Sequence, residues 1–282
     1  MKIYLSFIFL FLVVHHPLRS STDVCMLIQA QKNHVQPSGK TIASRFIPLS
    51  GFERVKVDES SFAYYLRNLP LKEHGARVKY FDGREKSNFQ IYDAVVNLPI
   101  GTKDLHQCAD AIMHVRARYL YEQKRKNEIQ FTFTNGFVAS YAKWMEGNRI
   151  IVNGNNVQSK KTTSPVDNEQ IFWKYLKTVF TYAGTLSLSK ELKPKEITNL
   201  QIGDVWIQGG SPGHALLVVD MVQRKSDGKK LFLLAQSYMP AQEIHILKNP
   251  LVSNLSPWYE SDFPQTLQTP EWTFKKDDLK GF

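Results

Sequence analysis

Three side chains stand in an order that suits nucleophilic catalysis: the thiol of Cys108, the imidazole of His214 and the carboxamide of Gln236. A thiolate is the attacking species, and a helix N-terminus favours it because free N–H groups and the helix dipole stabilise the anion. A general base must then reach the thiol, and a third group must hold the imidazole in the right tautomer. Each residue also has an ordinary structural use. A cysteine on an apolar helical face is a small core residue, a strand-end histidine can bond a neighbouring backbone group, and a glutamine can be a satisfied sheet residue. His106 and His245 are weaker bases. His106 lies two residues from Cys108 and so points away on a helix, and His245 falls on the polar face of an alternating strand over residues 243–247.

Those roles require particular elements. Asp104 can cap a helix, Gln107 follows three residues later as in a capping box, and Leu105, Cys108, Ile112, Val115 and Tyr119 recur at helical spacing. This predicts a helix opening at Asp104, with Cys108 in its first turn on the inward face. The last third reads as strands at 204–208, 214–223, 230–238 and 243–247, with Asp227-Gly228 as the turn between the second and third. His214 opens one strand, and the hairpin brings Gln236, near the end of the next, back beside it. Upstream, residues 62–69 suggest a helix and residues 76–81 and 89–98 suggest strands around the turn Asp82-Gly83. A strand over 129–134 ends at Asn135-Gly136, and a second long helix is announced by Ser164-Pro165 and stops at Gly184. Helices followed by an antiparallel sheet define an α+β protein.

Two sequence patterns resemble known families. Gly203-Asp204-Val205-Trp206-Ile207, Gly213-His214-Ala215 with the apolar run 216–219, and Leu233-Leu234-Ala235-Gln236-Ser237 together resemble the Gly-Asp, Gly-His and third-residue strands of NlpC-type and CHAP-type cell-wall cysteine peptidases. That resemblance implies a papain-like fold with N-terminal helices packed on an antiparallel sheet, and Cys108 as nucleophile, His214 as base and Gln236 as its partner. Gln107-Cys108-Ala109-Asp110-Ala111, with the segment from Gln236 to Gln242, resembles a family of exported bacterial domains of unknown function, across most of the chain after residue 21.

The start of the chain bears on location. Lys2 precedes a nearly wholly apolar run from Ile3 to Val14, too short to span a bilayer comfortably and better read as the apolar region of a signal peptide over residues 1–21. No second run of that kind follows, so no membrane span is expected after cleavage, and the protein is expected to be secreted or periplasmic. Cys25 has Asp23 and Val24 before it rather than the small residues a lipid anchor requires. With only Cys25 and Cys108 in the chain, a disulfide between them is the alternative to a free thiol. No linker or repeat divides residues 22–282, which are read as one domain.

An apolar content of 43% with 22% charged residues argues for a folded chain rather than a disordered one. The net charge of +10 suits an anionic envelope polymer. The basic groups Lys124, Arg125, Lys126 and Lys160, Lys161 lack interleaved aromatics, so nucleic acid is not an expected partner. Ser38-Gly39-Lys40-Thr41 ends like a phosphate-binding loop, but His34 occupies the position of its first glycine. Gly209-Gly210-Ser211-Pro212-Gly213 fits a nucleophile elbow letter for letter, yet Pro212 has no N–H to offer an oxyanion and a strand follows. No metal or cofactor motif is present. The expectation is a thiol hydrolase or acyl transferase acting on amides or esters such as cell-wall peptide. The alternative is a non-catalytic envelope module that binds glycan or peptide through exposed aromatics such as Trp206, Tyr238 and Trp258. If the apolar start is a cleaved signal, N-terminal sequencing of protein from its native cell will find a mature chain beginning between Ser20 and Cys25; an intact Met1 on a cytosolic protein contradicts the reading.

Overall fold

The run His214–Val222 is buried on every residue, the pattern of a strand covered by a layer on each face. The computed structural model describes residues 34–282, so the apolar start read as a signal peptide and Cys25 lie outside the described residues. Helices α1 (Ile42–Arg45), α2 (Phe62–Arg67), α3 (Cys108–Glu122), α4 (Tyr141–Met145), α5 (Glu169–Tyr182) and α6 (Thr185–Glu191) fall mainly before the long strands. Strands β1 (Phe52–Arg54), β2 (Tyr92–Val95), β3 (Gln130–Thr132), β4 (Val138–Ser140), β5 (Asn148–Asn153), β6 (Asn156–Lys161) and β7 (Lys193–Pro194) are interspersed with them. Then come β8 (Val205–Gln208), β9 (His214–Arg224), β10 (Lys230–Gln236), β11 (His245–Leu247), β12 (Tyr259–Glu260), β13 (Thr266–Gln268), β14 (Thr273–Lys275) and β15 (Leu279–Gly281).

The large sheet runs β2-β11-β10-β9-β8-β15-β7, with β1 also on β9 and β12 also on β10. Its pairings are antiparallel. The protein is therefore a mixed α+β structure built on a large antiparallel sheet. Side chains alternate across the sheet. Ala215, Leu217 and Val219 pack with Ile112 and Val115 of α3 in the larger core. Leu216 and Val218 face the other way, into a second core with Trp206, Phe232, Tyr259 and Phe274.

Several element boundaries differ from the sequence expectation. The Asp104 helix begins four residues later, at Cys108, with Gln107 as its cap; the Gln107 N–H donates to Asp110 Oδ2 at 3.1 Å. Asp104 is drawn away by a tertiary partner, since its Oδ1 accepts from the Ala241 N–H at 2.7 Å. Residues 76–81 form only isolated bridges, Lys79 to Glu85 and Tyr80 to Gln242, while residues 89–91 are a 3-10 turn ahead of β2. The turn at Asp82-Gly83 does form, with Gly83 at a φ of 87°. The helix announced by Ser164-Pro165 starts instead at Glu169, because Asn168 Oδ1 accepts from the Ile171 N–H at 3.0 Å.

One ion pair cluster fastens the early chain to the central strand. Asp220 of β9 is fully buried, and its two oxygens take Arg54 Nε at 3.0 Å and Arg67 Nε at 2.6 Å. Removing one member of such a cluster strands charge in the interior. Asp220→Asn is expected to lower unfolding free energy by about 3 kcal/mol in urea titration; an unchanged midpoint would show that the cluster contributes nothing.

Candidate functional site

Cys108 is the first residue of α3 and carries a free, buried thiol. Burial pushes its pKa up to about 11, and the Asp110 charge adds to that rise, while the backbone amides of Ala109 and Ala215 pull the other way. Asp110 is itself held well above the ordinary carboxyl range by burial. Burial, the larger of the two causes, is thus the main reason the thiol keeps its proton. The expected depression of a thiol at a helix start is overridden here.

His214 is the first residue of β9, and the glycine before it is required by space. A Cβ on Gly213 would lie 2.5 Å from Thr185 Oγ1, 2.6 Å from the Gly210 carbonyl and 2.8 Å from the Gln208 carbonyl. The ring sits among Tyr238, Trp272 and Phe274, with centroids 4.7, 5.4 and 6.0 Å away. Burial lowers its pKa to about 4, against the hydrogen bond to Gln236, which raises it. His214 Nε2 and Gln236 Oε1 lie 2.9 Å apart. The sequence pairing of His214 with Gln236 is thus present in the structure as a direct contact.

Cys108 and His214 open into one cleft of roughly 530 Å³, whose wall also includes Asp110, Tyr238, Met239 and Trp272. The sulfur faces the N–H of Ala215, the residue after His214. Among the described residues no hydrogen bond joins the thiol to the imidazole. Strand parity accounts for the offset: Ala215 points toward α3 while His214 and Gln236 project on the other face, so thiol and ring meet only around the open start of β9. Ser211 shares the cleft wall in the loop before His214.

Gln236 has two further partners that the sequence reading did not give it. Gln236 Nε2 is 2.6 Å from Glu271 Oε2 and 3.2 Å from His245 Nε2. Glu271 Oε1 in turn takes the buried Lys86 ammonium at 2.7 Å. His245 was expected on a solvated face; it is fully buried, because β11 is covered on both sides and the register places it directly opposite Gln236. A period-two pattern over residues 243–247 could not show that. Nothing in local spacing marks Glu271 or Lys86, which arrive from distant loops. His106, expected on the helix pointing away from Cys108, lies before the first residue of α3 and packs in the core, with its Nε2 3.1 Å from His114 Nδ1.

Trp206 and Trp258 are fully buried, which corrects their assignment as exposed binding aromatics; of the three, only Tyr238 reaches the cleft. Among the described residues no group of three or more acidic, histidine or cysteine side chains is arranged to hold a metal. No described helix is long and apolar enough to cross a membrane.

A family model matches residues 42–281, which includes every residue of the cleft and of the polar network behind it. The chain belongs to the family described as Domain of unknown function (4846). No curated protein and no solved structure matches it.

The buried histidines have a common consequence for stability. Burial lowers His106 and His214 to about 4, His245 to about 3, and His114 well below its ordinary value of 6.5. The unfolded chain then binds more protons than the folded one between about pH 6.5 and 4, so stability falls as pH falls through that window. Burial raises five carboxyls, Asp93, Asp110, Glu122, Glu191 and Asp204, which act in the opposite sense, but four of them start from ordinary carboxyl values at the acid end of the window, so the four rings set the slope above it. The urea midpoint is expected to decline steadily from about pH 6.5 to 4.5, and a flat profile across that range would contradict the burial of neutral rings.

Proposed function

We propose that this protein is a thiol hydrolase or acyl transferase of papain-like, NlpC/CHAP-related arrangement, with residues 22–282 as one exported domain acting on amide or ester bonds of cell-envelope peptide. Cys108 is the nucleophile, His214 the general base and Gln236 the residue that orients it. The observation that carries the reading is the His214 Nε2 to Gln236 Oε1 contact at 2.9 Å, within a cleft that also holds the Cys108 thiol. Engaging Nε2 leaves Nδ1 for the thiol.

With the thiol near 11 and the imidazole near 4, the resting pair is neutral. Attack then follows general-base catalysis: His214 takes the thiol proton as sulfur bonds to the acyl carbon, and backbone N–H groups at the start of α3 receive the oxyanion. The leaving amine or alcohol takes the proton from His214, and water or an acceptor amine releases the acyl group by the reverse route. The absent thiol–imidazole hydrogen bond fits a site without substrate, since such contacts often tighten only in the complex. The same observation supports a second reading, a binding module that keeps the fold and uses the cleft without turnover.

A peptidyl chloromethyl ketone separates the two. The catalytic reading expects labelling at Cys108 that is level between about pH 6 and 8, falls below about pH 5 as His214 takes up its proton, and persists in Cys25→Ala. His214→Ala should slow it at least ~100-fold. Equal labelling rates in the wild type and His214→Ala would leave the binding module as the function.

A further inference from the structure

The Gln236 carboxamide offers one acceptor oxygen and two donor hydrogens, so the end that faces His214 decides which ring nitrogen carries the proton. Its surroundings admit one orientation. Glu271 Oε2 lies 2.6 Å from Gln236 Nε2 while Glu271 Oε1 is ion-paired with buried Lys86 at 2.7 Å. A carboxylate so paired only accepts, and therefore requires the NH₂ end of the amide. His245 makes the same demand. Its Nδ1 lies 2.9 Å from the Glu243 carbonyl, which can only accept, so Nδ1 bears the hydrogen of this buried neutral ring. His245 Nε2 is then a lone pair, 3.2 Å from Gln236 Nε2. Both amide hydrogens are spent, one on each partner. The oxygen is left for His214 Nε2 at 2.9 Å, and that nitrogen must donate. Turning the amide over would set its oxygen against two acceptors and its hydrogens against a donor.

We infer that Glu271 and His245, acting through Gln236, lock His214 as the Nε2–H tautomer and leave Nδ1 unprotonated as the basic nitrogen of the site. Both are positioning residues, since neither lines the cleft, and Lys86 anchors Glu271 in turn. The assignment of Nδ1 as a working base rests on the acyl-transfer reading; the tautomer itself does not. Gln236 alone could not enforce the choice, because a free carboxamide satisfies either tautomer by rotating. A carboxylate and a second histidine behind it remove that freedom.

The test is nitrogen NMR on the full chain carrying ¹⁵N-histidine, with the His214 signals identified by their loss in His214→Gln. The wild type is expected to show a protonated Nε2 and a bare Nδ1 near neutral pH. In the double variant Glu271→Gln, His245→Phe the amide can turn, and His214 should become a mixture of tautomers, with chloromethyl ketone labelling of Cys108 slowed at least about tenfold. A protonated Nδ1 in the wild type overturns the inference, as does an unmixed Nε2–H signature in a folded double variant. If the double variant does not fold, the wild-type spectrum alone decides. A wild-type Nε2–H signature beside an unreactive Cys108 keeps the lock and rejects acyl transfer, whereas a reactive Cys108 beside Nδ1–H does the reverse.

Discussion

A buried polar group must be given a partner, and at one end of the sheet this protein buries several on adjacent strands. His214 opens β9, Gln236 closes β10 and His245 opens β11, all nearly inaccessible to water. Each unmet donor or acceptor there would cost about 1–3 kcal/mol. Hydrogen bonding within the row meets that demand only in one pattern, and the pattern reaches outward to Glu243, Glu271 and Lys86. The geometry of the candidate site is thus a by-product of satisfying the sheet end.

The sheet itself is organised by β9. It pairs with β8, β10 and β1, divides two apolar cores by alternation that changes phase at a register shift between Val218 and Asp220, and carries Asp220 as the acceptor for Arg54 and Arg67. The last contact joins residues far apart in the chain, so the N-terminal portion is fastened to the strand that presents His214. At the other end, the segment after β14 returns as β15 beside β8, and Trp272 Nε1 donates to Gln208 Oε1 at 2.9 Å. The aromatic wall around His214 therefore comes from the C-terminal part of the chain, and the thiol from the first long helix.

Burial then sets the chemistry available. A cysteine at a helix start is ordinarily stabilised as the anion. Here the first turn of α3 is covered, the same desolvation raises the Asp110 carboxyl, and the thiol and imidazole are both held neutral. Under the acyl-transfer reading proposed above, such a pair would move its proton only as charge develops on the acyl oxygen, the mode of hydroxyl nucleophiles more than of exposed thiolates.

The sequence by itself determined the class of structure and the pairing of His214 with Gln236. Runs rich in Val, Ile, Leu and Phe and the Asp227-Gly228 turn between them are local signals, and local signals are enough to predict that β9 and β10 form a hairpin bringing Gln236 to His214. Helical spacing likewise revealed that Cys108 lies in the first turn of a helix, although the start shifted because Asp104 found a partner at Ala241. The tertiary structure alone decided the rest. Burial of His245, Trp206 and Trp258 depends on layers contributed by other segments, and the roles of Glu271 and Lys86 depend on loops separated from Gln236 by long stretches of chain. Protonation was also beyond the sequence, since a pKa reports the water removed from a group and the charges brought near it, and both are fixed only when distant segments close around it.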